Sequence, residues 1–188
     1  MITVTGGVYA ERCLEPFWDD VYGSAGRAAA VIAGTVPDVR LRTYCAEGLE
    51  DGLANLSAVF RLDVGGPKVP GPGVAFEYLH TLSDPRIVPR RDLIQEHEPF
   101  EVQDDIVLSF GMMEGSAKVT AKRAVYDPQS AFSPQPFHQN GSRAQQLAIV
   151  LNSLEGRRLT GKADSDEIIV ELMSRHGADI VILKQGGK

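Results

Sequence analysis

The stretch Leu147-Ala148-Ile149-Val150-Leu151-Asn152-Ser153-Leu154-Glu155, followed by Leu159-Thr160-Gly161, decides the fold of this chain. Five apolar residues in a row read as a buried strand. They feed directly into an amide and a carboxylate one helical turn apart. Downstream, Asp164 to His176 places Ile168, Ile169, Leu172 and Met173 at helical spacing, with Gly177 as a suitable stop. Asp179-Ile180-Val181-Ile182-Leu183-Lys184 then reads as a further strand, ahead of Gln185-Gly186-Gly187-Lys188. Strand, helix, strand in this order argues for a mostly parallel α/β sheet. In open sheets of that kind, ligands bind beyond the carboxyl ends of the strands.

Working outward, Asp105 to Gly111 reads as a buried strand and Ala124 to Gln129 as another, running into an Asp127-Pro128 turn. Gly141 to Gln146 reads as a short helical turn. At the other end, Ile2 to Val8 is a β-branched first strand closing on Gly6-Gly7. Tyr9 to Tyr22 reads as a loop or short exposed strands. Gly23-Ser24-Ala25-Gly26-Arg27 opens an apolar, small-residue helix that ends near Gly34. Val39 to Cys45 alternates as a strand, Glu50 to Ala58 reads as a helix, and Val59 to Val64 as a strand. Gly65 to Gly73 is turn chemistry and excludes a regular element. It separates Val59–Val64 from a strand over Val74 to Leu82, an arrangement that reads as a long hairpin. Asp84 to Pro99, with three prolines, reads as irregular.

The 188 residues are 43% hydrophobic and 23% charged, which suits one globular domain. A formal charge of −6 argues against a nucleic-acid partner, which calls for clustered Lys and Arg. Cys13 and Cys45 are far apart and fit a reducing compartment such as the cytoplasm. The amino terminus lacks a basic region followed by a long apolar run, so no signal peptide is expected. No apolar run approaches the ~18 residues of a membrane span. His80, His97, His138 and His176 have no ligand spacing.

Several residues are candidates for chemistry. Asn152 and Glu155 either face the phosphates and Mg²⁺ of a nucleotide or form a capping box at a helix start. The two readings are compatible, because a capped helix end is also an anion site. Glu11, Asp19 and Asp20 are carboxylates that accept from vicinal diols or simply face water. The Gly23–Gly26 turn lets backbone approach a ligand, yet no Gly-Lys-Ser or Gly-Lys-Thr follows, so it is not a Walker sequence. Phe17 and Trp18 either stack on a ligand or pack a small core.

Taken in order, these pieces resemble the ribokinase-like (PfkB) carbohydrate kinases along the whole chain. Gly6-Gly7 with Glu11 is similar to that family's strand, glycine turn and acidic sugar-binding residue, where Asp is usual. Gly23-Ser24-Ala25-Gly26-Arg27-Ala28 resembles its Gly-Gly sugar-site signature, with Ser24 for the second Gly and Ala28 for the usual Asn. Ala124 to Gln129 resembles a strand-Asp-Pro-Asn segment, with Gln129 for Asn. Asn152-Ser153-Leu154-Glu155 with Leu159-Thr160-Gly161 matches the Asn-x-x-Glu signature and its trailing Leu-x-Gly. Between Phe110-Gly111 and Val125-Tyr126-Asp127 the passage is shorter than the usual strand-helix-strand.

The resemblance implies a ribokinase-like, mostly parallel sheet flanked by helices. It implies one incomplete domain over residues 1–188, with lid strands within 9–22 and 59–82. It implies ATP and Mg²⁺ as cofactors and a sugar or nucleoside as acceptor. Substrate binding would fall to Glu11, Gly23, Ser24 and Gly26, and nucleotide binding to Asn152, Glu155, Lys184 and Gly186, with Glu155 toward the metal. The family's Gly-Ala-Gly-Asp segment, which carries its base and anion hole, does not occur in these residues, so no catalytic residue is assigned. The expectation is a weak or absent kinase activity unless a second chain supplies that part. A non-catalytic sugar- or nucleotide-binding relative is the alternative, and a lid-mediated homodimer belongs to the same picture.

Overall fold

The computed structural model describes residues 1–130 and 132–186. Its frame is a seven-stranded sheet containing β1 (Ile2–Thr5), β4 (Val39–Arg42), β6 (Asp63–Gly65), β10 (Phe100–Phe110), β11 (Ala117–Asp127), β12 (Arg143–Asn152) and β13 (Ile180–Lys184). The spatial order is β13-β12-β11-β10-β1-β4-β6, and every pairing is parallel. The chain therefore runs outward from β1 to β6, then returns to the other side of β1 and runs outward again.

Helices cover the two faces. α1 (Gly23–Ala33) and α2 (Glu50–Phe60) pack Ala25, Ala29, Leu53 and Leu56 on Val4 and Leu41. The small residues of α1 are what let it lie close. α4 (Ser165–Ser174) sets Ile168 and Leu172 on Leu147, Ile149 and Leu151 of the opposite face. α3 (Ser153–Thr160) follows β12 directly.

Parallel neighbours usually need a crossover of a dozen residues or more, yet only residues 111–116 join β10 to β11. The strands themselves cover the distance. Thr3 of β1 donates to Asp104 at 2.8 Å, while the Tyr44 hydroxyl, beyond the carboxyl end of β4, reaches the carbonyls of Glu98 and Ser116 at 2.8 and 3.2 Å. The first halves of β10 and β11 thus curl back toward the carboxyl edge. Val102, Ala117, Val119 and Ala121 fill the core there in place of a helix.

A four-stranded sheet stands over that edge, ordered β3 (Trp18–Val21), β2 (Ala10–Glu15), β8 (Ala75–His80), β9 (Arg86–Val88). β5 (Cys45–Glu47) pairs with β7 (Lys68–Pro72) as a separate two-stranded ribbon.

Several expectations need correction. Val59 and Phe60 belong to α2, which runs on until Arg61 turns left-handed (φ 55°), so the strand expected from Val59 begins only at Asp63. It joins the central sheet, and no hairpin with β8 forms. β7 lies inside the Gly65–Gly73 stretch. As a short edge strand it tolerates Pro70 and Pro72, since an edge leaves one side free of ladder bonds. β9 occupies part of Asp84–Pro99. Gly141–Gln146 is not helical. Ser142 Oγ accepts from Val119 N–H at 2.9 Å, which starts β12 at Arg143.

Candidate functional site

A cleft of about 770 Å³ lies between the four-stranded sheet and the carboxyl edge of β1, β10 and β11. This is the crevice where the strand order reverses, the preferred ligand position in open α/β sheets. Its roof is one face of the small sheet. Tyr9 and Glu11 stand two residues apart, as do Phe76 and Tyr78 on β8, and all four side chains line the cleft with Ile87. The period of two along a strand puts them on one side. Tyr9 and Phe76 are in ring contact at 5.2 Å. Ser109 to Met113 and Pro128 to Ser130 form the floor, and Gly23 and Ser24 one wall.

Glu11 is only 7% exposed. Its Oε1 accepts from Gly23 N–H at 2.9 Å, and its Oε2 is paired with the Arg27 guanidinium. A carboxylate at the start of α1 meets both an unsatisfied N–H and the positive end of the helix dipole. Gly23 permits this twice over. Its φ is +60°, and a Cβ there would stand 2.4 Å from the Gly7 carbonyl oxygen. Ser24 Oγ donates to Gln129 Oε1 at 2.9 Å, tying the helix to the Asp-Pro-Gln loop. Gly26 lies outside the cleft lining. Its α-carbon faces Leu56 and Val8, so its role is close helix packing.

Asn152 and Glu155 form the capping box. Asn152 Oδ1 accepts from Glu155 N–H, and Glu155 Oε2 from Asn152 N–H, both at 2.9 Å. Glu155 does more than cap. It is 3% exposed, and its Oε1 accepts from Ser130 N–H at 2.8 Å, which fixes the cleft floor. Lys184 Nζ meets Asp127 Oδ2 at 2.9 Å, and Asp127 Oδ1 accepts from Gln129 N–H at 3.2 Å. Asn152, Glu155, Asp127 and Lys184 therefore form a second cluster beneath the floor, at the ends of β11, β12 and β13, rather than part of the cleft lining. Burial, with the charges of Asp127 and Glu155, pushes the Tyr126 hydroxyl far above its usual range. Gly186 closes the described chain at φ 62°, and Gly187 and Lys188 lie outside the described residues.

Among the described residues, no three His, Cys, Asp or Glu side chains gather as a metal-binding group. Glu155 gives one oxygen to each of two N–H donors. An ionised carboxylate has about four lone-pair sites, so Glu155 would keep acceptor capacity for the waters of a bound cation.

Tyr9, Phe76, Tyr78 and Glu114 escaped the sequence reading. The alternation Phe76-Glu77-Tyr78 was a visible signal for a strand face bearing aromatics. Glu114 carried none, because nothing local marks a carboxylate as buried. It is 9% exposed, accepts from the Tyr9 hydroxyl at 3.0 Å, and burial raises its pKa above the usual carboxylate range. A raised folded-state pKa contributes stability that is complete below the unfolded value and is lost as pH rises through the folded one. Glu114→Gln is therefore expected to gain in melting temperature relative to wild type as pH rises from about 4 toward neutrality. A constant difference across that range would contradict it.

Comparison with known proteins places the architecture. No family model and no curated protein matches this sequence. Solved structures do match. A pyrophosphate-dependent kinase of the ribokinase family, in a sulfate complex, shares 18% identity with a TM-score of 0.65 over 98% of this chain and 73% of its own. Arabidopsis thaliana ribokinase, complexed with ribose and ATP, gives 15% and 0.65 over 100% and 72%. Ribokinase from Thermotoga maritima gives 16% and 0.62 over 99% and 72%. The fold is ribokinase-like, and roughly a quarter of each of these chains has no counterpart here. No helix among the described residues is long and apolar enough to cross a membrane.

Proposed function

We propose that this ribokinase-like chain binds a sugar or nucleoside-like polyol in the cleft and serves phosphoryl transfer to one of its hydroxyls. The observation that carries the reading is the roof. A nearly buried carboxylate, Glu11, stands beside a phenol and two aromatic faces, all directed at the carboxyl edge of a parallel sheet. Vicinal hydroxyls donate to a carboxylate, and aromatic faces cover the apolar side of a sugar ring. Glu11 has one donor on each oxygen, which leaves acceptor capacity for substrate. Ser24 and Gln129 hold the wall and floor at fixed separation, which preorganises the acceptor.

The donor is ATP by the resemblance, with pyrophosphate as the other donor found among proteins of this fold. When bound with it, Mg²⁺ would neutralise phosphate charge, with Glu155 as the carboxylate that could hold its waters. A second reading is sugar or nucleotide binding without transfer. It is favoured by the engagement of Asn152 and Glu155 in the capping box. The small sheet, as a lid, ends in exposed Leu14, Phe17, Leu79 and Leu82, a patch suited to a homodimer contact. The free thiols of Cys13 and Cys45 suit the cytoplasm.

Calorimetric titration of a sugar and nucleoside panel into wild type and Glu11→Gln tests the reading. Hydrogen bonds to a charged group contribute about 1.5–3 kcal/mol, so Glu11→Gln is expected to weaken the best ligand by roughly 10- to 150-fold. A wild type that binds no member of the panel sinks the proposal. Turnover assays with Mg-ATP and with pyrophosphate on the best acceptor decide between the two readings, since the binder without transfer forms no phosphorylated product.

A further inference from the structure

Tyr9, one of the roof residues, and Glu114 form a buried pair whose hydrogen bond the reading above leaves unused. The Tyr9 hydroxyl donates to Glu114 Oε2 and accepts from Met113 N–H, each at 3.0 Å. A phenol oxygen has a second lone pair, and Tyr9 lines the cleft. The ring is held hard against the chain. A Cβ on Gly7 would fall 2.0 Å from the Tyr9 hydroxyl oxygen, so only glycine at 7 leaves it in place. Behind it, Glu114 borders a second cavity of about 230 Å³ whose walls include Leu49, Val69, Val74, Leu93 and Ile94. No Lys or Arg among the described residues forms an ion pair with Glu114. A carboxylate buried among apolar groups without a cation is costly. When such a group stands one hydrogen bond from a ligand cleft, it is a candidate for acid–base work.

We infer that Tyr9 and Glu114 form a proton relay that takes the proton of the acceptor hydroxyl during phosphoryl transfer from a nucleoside triphosphate or pyrophosphate. The inference rests on the phosphoryl-transfer reading. The hydroxyl proton passes to Tyr9 Oη as the Tyr9 proton passes to Glu114 Oε2. The freed oxygen lone pair forms the new bond to phosphorus. The bond from phosphorus to the leaving phosphate oxygen breaks, and its electron pair departs with that oxygen. Tyr9 touches the acceptor, and Glu114 acts through Tyr9. Burial raises the pKa of both groups. Tyr9 therefore stays a phenol, passing on one proton as it takes another, while Glu114 is a stronger base than an exposed carboxylate. The titratable groups around Glu114 are Tyr9 from the β1–β2 link, Tyr44 after β4, and His97 ahead of β10.

The test follows transfer by ³¹P NMR, with Mg-ATP and with pyrophosphate, and acceptor binding by calorimetry. Wild type, Tyr9→Phe, Glu114→Gln and the double variant are compared, with melting curves to confirm folding. Removing a general base lowers rates by about 10²–10⁴. Each single variant is expected to lose turnover in that range, and Glu114→Gln, which lies outside the cleft lining, to hold acceptor affinity within a few-fold. The double variant is expected to be no slower than the slower single, as for residues that act as a unit. The wild-type rate should fall as pH drops through the raised Glu114 range, and Glu114→Gln should lack that limb. Wild-type turnover in either folded variant overturns the relay. A wild type that binds an acceptor but transfers nothing overturns it too, while leaving the binding reading intact. A wild type that binds no acceptor removes the functional reading, and the relay with it.

Discussion

Replacing Glu155 with alanine is expected to lower the unfolding free energy by about 3–5 kcal/mol. The carboxylate is 3% exposed, and each oxygen accepts one backbone N–H, from Ser130 and from Asn152. Bonds to a charged acceptor contribute about 1.5–3 kcal/mol each, and truncation leaves both donors without a partner. For a chain of this length, one kcal/mol moves the melting temperature by about 2–4 °C, so a fall of roughly 6–20 °C is expected. Urea unfolding of Glu155→Ala beside Glu155→Gln measures it. The glutamine keeps one acceptor but turns an amide N–H toward the other donor, so it should lie between. Wild-type stability in the alanine variant would mean that this carboxylate does not anchor the Ser130 loop to α3.

Gly111→Ala is expected to damage stability and ligand binding together. Gly111 N–H donates to the Asp127 carbonyl at 2.9 Å, and a Cβ would stand 1.9 Å from the Pro128 carbonyl oxygen. That neighbour is backbone, so it cannot swing aside as a flexible side chain would. The Pro128–Ser130 segment has to move, and with it the contacts of Gln129 to Ser24 and of Ser130 to Glu155. Overpacking of this kind costs about 1–3 kcal/mol. On the proposed reading, affinity for the acceptor falls more than tenfold, because the floor is no longer registered to the wall. Melting curves and the same calorimetric titration check both parts. A variant that melts and binds like wild type would show that the loop is slack enough to yield.

The parallel frame was legible because its strands are long apolar runs and its helices carry clear stops. Leu147–Leu151 followed by Asn152, the Gly34 end of α1 and the spacing of Ile168 and Leu172 were each readable from local chemistry. The pairing of Asn152 with Glu155 was also readable, and the capping geometry is as the motif predicts. What Glu155 does with its second oxygen was not, because Ser130 is distant in sequence. β7 was hidden by prolines that an edge strand tolerates. The curl of β10 and β11 was hidden because Val102, Val119 and Ala121 read the same whether they face a helix or the strand's own sheet. Tyr9 and Glu114 are 105 residues apart, and no periodicity joins them.

The position of β1 in the sheet fixes an order of events during synthesis. Its neighbour on one side, β4, is complete by Arg42, but its neighbour on the other, β10, ends only at Phe110. Thr3 finds Asp104 101 residues downstream. A chain emerging from its amino end therefore holds β1 with one side unpaired until β10 has been made. The crevice beside it, walled by α1 from the first part and floored by the β10 and β11 loops from the second, comes into being only when the two parts meet.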